Sequence, residues 1–347
     1  MRGRVLTETG EIRLGGLAGE PMRRLCAARR IIIAACGTSF HSGQVGEYLI
    51  ETLARVPVEV EYASELRYRR PILRAGEDVL IAISQSGETA DTLAAVREAK
   101  AQGVLTLGLV NVVGSSIARE TDAGCYLHVG PEIGVASTKA FSAQVLLLAM
   151  IALAVARERG EVDAARARTL VAELAQLPDL VQRALDEAPR VLDVAREYRF
   201  ATSFLFLGRG SNFPVALEGA LKLKEISYIH AEGLPAAELK HGPLALVERF
   251  MPVVCICPRD DPVYDKLRAN VEEVLARGGS VILVAQAGDD ELAARCDAAL
   301  RVPRGVPEWL APLVHVVPLQ LLAYHIAVAR KCDVDRPRNL AKSVTVE

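Results

Sequence analysis

The segment Ser84-Gln85-Ser86-Gly87-Glu88-Thr89 offers three hydroxyls, an amide and a glycine, with no lysine or arginine. An apolar run, Val79 to Ile83, leads into it, and an amphipathic pattern beginning at Leu93 leads out. That order reads as a strand, a tight loop and the start of a helix. Unpaired N–H groups and a partial positive charge at a helix N-terminus receive an anion, and the hydroxyls add neutral donors. The loop suits a phosphate on a small polar ligand; an ordinary βα turn capped by Ser and Thr uses the same residues. Farther on, Glu218, Lys222 and Glu225 recur at spacings of four and three. The helix predicted there runs from Ala216 to His230, after Pro214, and puts all three on one face. They form either a solvated salt-bridge face or a partly buried carboxylate beside a lysine, fit to act as a general base. The apolar remainder (Ala216, Leu217, Ala220, Leu221, Leu223, Ile226) points to burial. His241, in the Gly-Pro-bounded loop Glu238 to Pro243, can exchange protons near neutrality, or be merely exposed. His315 and His325 fall on the last long helix, where packing is the default. Nothing in its local composition singles out Lys342 in the C-terminal tail, a kind of segment that usually frays.

These residues need elements to hold them, and an internal repeat supplies those. Ile31 to Ala35 is a buried strand ending in Cys36-Gly37-Thr38-Ser39; Phe204 to Leu207 followed by Gly208-Arg209-Gly210-Ser211 repeats the plan. The first half continues with strand Val79–Ile83, a helix to Ala101 and strand Leu105–Val110. The second matches with Val253–Ile256, a helix to Arg277 and Val281–Val284. Short strands near Tyr126–Val129 and Ala299–Val302 follow. Long helices, Thr138–Arg157 and Leu310–Arg330, close the halves, and Val162 to Glu197 reads as a helical link. Strands alternating with helices imply an α/β fold of parallel sheets covered on both faces. In such sheets ligands bind beyond the carboxyl ends of the strands, where Cys36 to Ser39 and Ser84 to Thr89 could converge on one ligand. The counterpart of the hydroxyl loop in the second half is Cys257-Pro258-Arg259-Asp260-Asp261-Pro262. Its carboxylates would repel an anion, so one phosphate site per chain is expected.

Composition sets the bounds. The 347 residues suffice for two domains, about half are hydrophobic, and the net charge of -2 leaves no long run of either sign. Neither a nucleic-acid footprint nor an acidic tail is indicated. Seven scattered cysteines without a CxxC pair read as reduced thiols of a cytoplasmic protein. No metal-ligand spacing and no GxxxxGK[ST] motif occur, and Gly208-x-Gly210 lacks the rest of a dinucleotide fingerprint, so no metal and no cofactor are expected. The run Val145–Ala156 reads as too short to span a bilayer and as a buried helix, so no membrane partner is expected.

Several stretches together resemble one family closely. They are Ala35 to Ser39, Ser84 to Thr92, Glu132-Ile133-Gly134-Val135-Ala136-Ser137-Thr138-Lys139-Ala140-Phe141, Ala216 to Glu232, Glu238 to Pro243 and the closing Pro337 to Glu347. They are similar to the isomerase part of the glucosamine-6-phosphate synthase family (glutamine–fructose-6-phosphate aminotransferase, isomerising), which consists of two sugar isomerase (SIS) domains. The resemblance runs from about Ala34 to the C-terminus, and the tail is its most discriminating piece. It implies two tandem SIS domains, each a flavodoxin-like parallel sheet of five strands. It assigns residues 1–23 to a linker remnant, 24–160 to the first domain, 161–197 to a helical linker, 198–335 to the second domain and 336–347 to a tail.

The resemblance also implies roles. Thr38, Ser39, Ser84, Gln85, Ser86 and Thr89 match positions that hold the sugar phosphate. Cys36, Gly37, Val135, Ala136, Ser137 and Ala341 match positions around the sugar. Glu225 matches the base that moves a proton between C1 and C2, and His241 the residue that helps open the ring, donated across a homodimer interface. Lys342 matches the lysine that forms a Schiff base with C2 of fructose 6-phosphate, and Lys222 a residue assisting near the amine. The implied partners are fructose 6-phosphate, glucosamine 6-phosphate or related hexose phosphates. The implied reaction is fructose 6-phosphate plus ammonia to glucosamine 6-phosphate. The family's glutaminase part has no counterpart before Cys36, so the chain reads as a fragment of a longer enzyme or a free-standing isomerase, without glutamine hydrolysis. Another SIS enzyme, such as a fructosamine-6-phosphate deglycase, and a non-catalytic sugar-phosphate sensor are the rival readings.

Overall fold

The computed structural model describes Met1 and residues 3–345, which fall into two compact units divided within one long helix. In the first unit a short hairpin, β1 (Val5–Leu6) and β2 (Glu11–Ile12), and helix α1 (Glu20–Ala27) precede the sheet. Then come β3 (Arg30–Ala35), α2 (Thr38–Ala54), β4 (Val58–Tyr62), α3 (Ala63–Leu66), β5 (Asp78–Ser84) and α4 (Ala90–Ala101). The unit continues with β6 (Leu105–Val110), α5 (Ser116–Glu120), β7 (Ala123–Tyr126), α6 (Lys139–Glu158) and the start of α7 (Ala164–Leu185). The sheet is all parallel in the order β4-β3-β5-β6-β7. Its middle strands are continuous apolar runs because helices cover both faces. Ile32, Leu80, Ala82, Val96 and Ala99 form part of one core cluster.

The second unit takes the end of α7, α8 (Ala188–Tyr198), β8 (Ser203–Gly208), α9 (Asn212–Ser227), β9 (His230–Pro235), β10 (Val253–Ile256) and α10 (Tyr264–Leu275). It closes with β11 (Val281–Gln286), α11 (Asp290–Ala293), β12 (Ala298–Val302) and α12 (Ala311–Ala329). Its parallel sheet has the order β12-β11-β10-β8-β9. Numbered within each unit, both sheets follow the doubly wound order 2-1-3-4-5, with the switch point between the first and third strands. The two five-stranded parallel sheets agree with the sequence reading.

Four details differ from it. Helix α9 starts at Asn212 rather than Ala216: Pro214 sits inside the first turn, where its missing N–H costs nothing. The helix ends at Ser227, with Tyr228 left-handed at φ 62, so His230 opens β9 instead of closing α9. The strand expected at 126–129 lies at Ala123–Tyr126, where Gly124 pairs with Gly108 so closely that a Cβ on Gly124 would meet the Gly108 carbonyl oxygen at 2.1 Å. Finally, α6 and the segment Glu308–Ala329 are each long and apolar enough to cross a bilayer, contrary to the length argument. In both, 72% of the apolar window is buried inside the protein, so core packing accounts for their hydropathy.

Candidate active site

In the first unit, two loops leave the carboxyl ends of the adjacent strands β3 and β5. Gly37, at φ 54, turns the chain from β3 into α2, whose first residue is Thr38. Ser39 and Ser42 are buried one turn apart on α2 and are clamped by Gln144, fully buried on α6. Gln144 Nε2 donates to Ser39 Oγ at 2.9 Å, which leaves the Ser39 proton for another acceptor. The Ser42 hydroxyl lies 2.9 Å from Gln144 Oε1 and 2.7 Å from the Ser39 carbonyl, and bridges the two. Cys36 Sγ lies 4.0 Å from Thr92 Oγ1 on α4, tying the first loop to the second; burial raises its pKa, so it is a thiol rather than a thiolate.

The second loop is held by its own hydroxyls. Ser84 closes β5, and its Oγ accepts the Gly87 N–H at 3.0 Å and pairs with Thr89 Oγ1 at 3.1 Å. Ser86 Oγ accepts the Glu88 N–H at 3.2 Å, and the Gln85 carbonyl accepts the Asn111 N–H at 3.2 Å. Gly87 is required twice over: φ is +68, and a Cβ would lie 2.0 Å from Ser115 Oγ. The acidic member of the motif is turned away. Glu88 Oε1 accepts the Ser116 N–H at 2.8 Å, and hydrogen bonds from the Ser116 side chain and backbone hold its pKa below the ordinary value. The loop therefore presents hydroxyls beside the N-terminus of α4 without its own carboxylate among them.

Lys342 is docked rather than frayed. Its Nζ donates to Glu132 Oε2 at 2.6 Å and to Ser137 Oγ at 3.1 Å. The other Glu132 oxygen accepts the N–H groups of Thr138 and Ala140 at 3.0 and 3.2 Å, so one carboxylate caps α6 and grips the tail. Burial works to raise the Glu132 pKa, but the Lys342 bond and the Thr138 N–H outweigh it and hold it below the ordinary value. The tail continues over the second loop: Ser343 Oγ lies 3.2 Å from Ser86 Oγ, and the Ala90 N–H of α4 donates to the Val344 carbonyl at 3.3 Å. Ala341 is exposed beside Lys342. Val135 and Ala136 count with the second unit, where the Val135 N–H donates to the Asp335 carbonyl at 3.0 Å.

In the second unit the face of α9 is a buried charge triad, not a solvated one. Lys222 Nζ lies 2.6 Å from Glu225 Oε2 and 3.3 Å from Glu218 Oε1. The side-chain exposures are 2% for Lys222, 0% for Glu218 and 20% for Glu225. Burial works to lower the Lys222 pKa, but the two carboxylates overcome it and raise it, so Lys222 is a fixed ammonium. Glu225 is the member that reaches solvent and could exchange a proton with a ligand. His241 ends a 3-10 turn, Ala236–His241, and is exposed; no hydrogen bond joins it to the triad among the described residues.

Sequence reasoning missed two residues that organise these sites: Gln144 and Glu132. Gln144 had a signal, since it is the one uncharged polar side chain between Val145 and the hydroxyl-bearing Ser142 at the start of an apolar helix. Glu132 lay inside a quoted motif without a role.

Comparison with known proteins fits this geometry. The SIS domain family matches residues 24–154 and 197–330. The chain belongs to the SIS family. Within it, glutamine–fructose-6-phosphate aminotransferase (isomerizing) of Chlorobaculum tepidum is 55% identical over all 347 residues, and that of Bacteroides thetaiotaomicron 52%. The chain spans 56% of the length of each of these curated relatives. The C-terminal domain of glucosamine-fructose-6-phosphate aminotransferase from Francisella tularensis superposes with a TM-score of 0.91 at 41% identity, covering 96% of this chain and 93% of that one. The two SIS domains thus correspond to the isomerase half of these aminotransferases.

Proposed function

We propose that the chain carries out the isomerase half of glucosamine 6-phosphate synthesis, from fructose 6-phosphate and ammonia. Thr38, Ser39, Ser84, Gln85, Ser86 and Thr89 hold the phosphate; Cys36, Gly37, Val135, Ala136, Ser137 and Ala341 surround the sugar. Lys342 condenses with the C2 carbonyl and water leaves; the imine then makes the C1 protons more acidic. Ammonia displaces the lysine, and Glu225 carries a proton from C1 to C2, which turns the ketose imine into an amino aldose without any change of oxidant or reductant. Lys222 holds Glu225 in place through their 2.6 Å ion pair. His241 assists ring opening, in this reading from the neighbouring subunit of a homodimer. The proposed organisation places the working domains at 24–160 and 198–335, joined by 161–197, in a cytoplasmic enzyme.

The observation that carries the reading is Lys342, a tail lysine held by Glu132 and Ser137 while the next residue, Ser343, reaches Ser86 of the hydroxyl loop. A lysine needed only for solubility would not be docked beside a phosphate cradle. Incubating the purified chain with fructose 6-phosphate, with and without ammonium, and identifying the products tests it. An aldose 6-phosphate or glucosamine 6-phosphate is expected. Binding without turnover would make the chain a sensor, and turnover of fructosamine 6-phosphate alone would make it a deglycase.

A further inference from the structure

The second unit has its own crevice at the position where the first unit has its hydroxyl loop. It opens to solvent beyond the carboxyl ends of β8 and β10, at the switch point of the sheet. Its wall includes His315 from α12, which is only 3% exposed.

A relay of hydrogen bonds fixes what this histidine offers. Asp261 Oδ1 accepts the Val263 N–H, and Asp261 Oδ2 accepts Asn212 Nδ2–H at 2.9 Å. The Asn212 amide is thereby oriented with Oδ1 toward His315 Nδ1, also at 2.9 Å. Nδ1 must then carry the proton, and Nε2, on the opposite edge of the ring, is left with a lone pair and no partner among the described residues. Burial pushes the His315 pKa down to about 4, so the ring is neutral at physiological pH. The His315 side chain is nearly buried and lines the crevice, so its free acceptor can take a hydrogen bond from a donor that enters there.

The rest of the lining agrees in sign. Asp260, Asp261 and Glu308 contribute three carboxylates against the single guanidinium of Arg209. Arg259 is taken up by Asp289, 3.6 Å away, and Asp260 is fixed by the side-chain amide of Gln286. A phosphate would meet net negative charge here, unlike in the first unit.

We propose that this crevice is a second ligand site, which binds a small ammonium-bearing polyol without a phosphate, an amino sugar by class, with an O–H or N–H donating to His315 Nε2 and the ammonium facing Asp260, Asp261 and Glu308. The site is separate from the sugar-phosphate machinery proposed above and does not depend on it.

The probe is glucosamine hydrochloride, titrated against the full chain by saturation-transfer NMR, with glucose as the neutral comparison. The proposal expects saturable glucosamine binding, tighter than glucose by up to about fivefold. The Asp260→Asn/Glu308→Gln double variant, altered at two exposed positions, should remove that advantage, weakening glucosamine by up to about fivefold, and Ser86→Ala in the first unit should leave it unchanged. His315→Met removes the acceptor and should abolish the preference for donor-rich ligands; if that variant unfolds, the double variant still decides. Absence of saturable binding, equal affinity for glucose, or sensitivity to Ser86→Ala without sensitivity to the double variant overturns it.

Discussion

Replacing Lys222 by methionine tests whether the charge triad on α9 is the buried device described above. The lysine bridges two carboxylates at 2.6 and 3.3 Å with 2% of its side chain exposed. Glu225, at 20% exposure, can recover part of its hydration when the ammonium goes; Glu218, at 0%, cannot. Removing one partner of a buried pair leaves an uncompensated charge and costs about 3–5 kcal/mol. For a unit of this size that corresponds to a fall in Tm of about 6–20 °C, measured by calorimetry at pH 7. Adding Glu218→Gln to Lys222→Met should recover part of the loss at pH 7, since it removes the stranded charge. A loss below about 1 kcal/mol for Lys222→Met, the range of exposed pairs, would refute the argument and return the face of α9 to a solvated salt bridge.

Gly87→Ala should fold but bind fructose 6-phosphate about tenfold or more weakly by calorimetric titration, because the left-handed backbone disfavours a Cβ and Ser115 would have to move from 2.0 Å. Glu132→Gln removes a charge-assisted bond to the 24%-exposed Lys342, worth about 1–2 kcal/mol, so carboxypeptidase should trim the tail about 5–30-fold faster. The pH dependence of tail trimming follows from the depressed Glu132 pKa: the ion pair is complete above the ordinary glutamate range and lost as the pH falls through the lower folded value, so the wild-type tail should loosen only at a pH below that ordinary range.

The central strands were legible because both faces of β3, β5, β6, β8, β10 and β11 are covered, which makes each a continuous apolar run. Within the two parallel sheets, the two strands that went unread are edges. β4 is Val-Glu-Val-Glu-Tyr, alternating because it has one neighbour, and β9 is His-Ala-Glu-Gly-Leu-Pro, with glycine and proline that only an edge tolerates. The hydroxyl loop was legible from residue type and position. What could not be read was which way each polar group turns: Glu88 toward α5, and Thr89 toward Ser84 rather than into a helix cap. The docking of Lys342 depends on Glu132, 210 positions away in sequence, a pairing that no local pattern encodes. Burial of Glu218 and Lys222 likewise depends on α12 packing over α9, which helical periodicity suggests but does not fix.

The central claim is that Lys342 forms the covalent link to substrate, and reductive trapping tests it directly. Treating the chain with fructose 6-phosphate and borohydride, then mapping peptides by mass spectrometry, should place a reduced hexose phosphate adduct on Lys342, and Lys342→Ala should give none. An adduct on another lysine, or equal trapping in wild type and Lys342→Ala, would contradict the account.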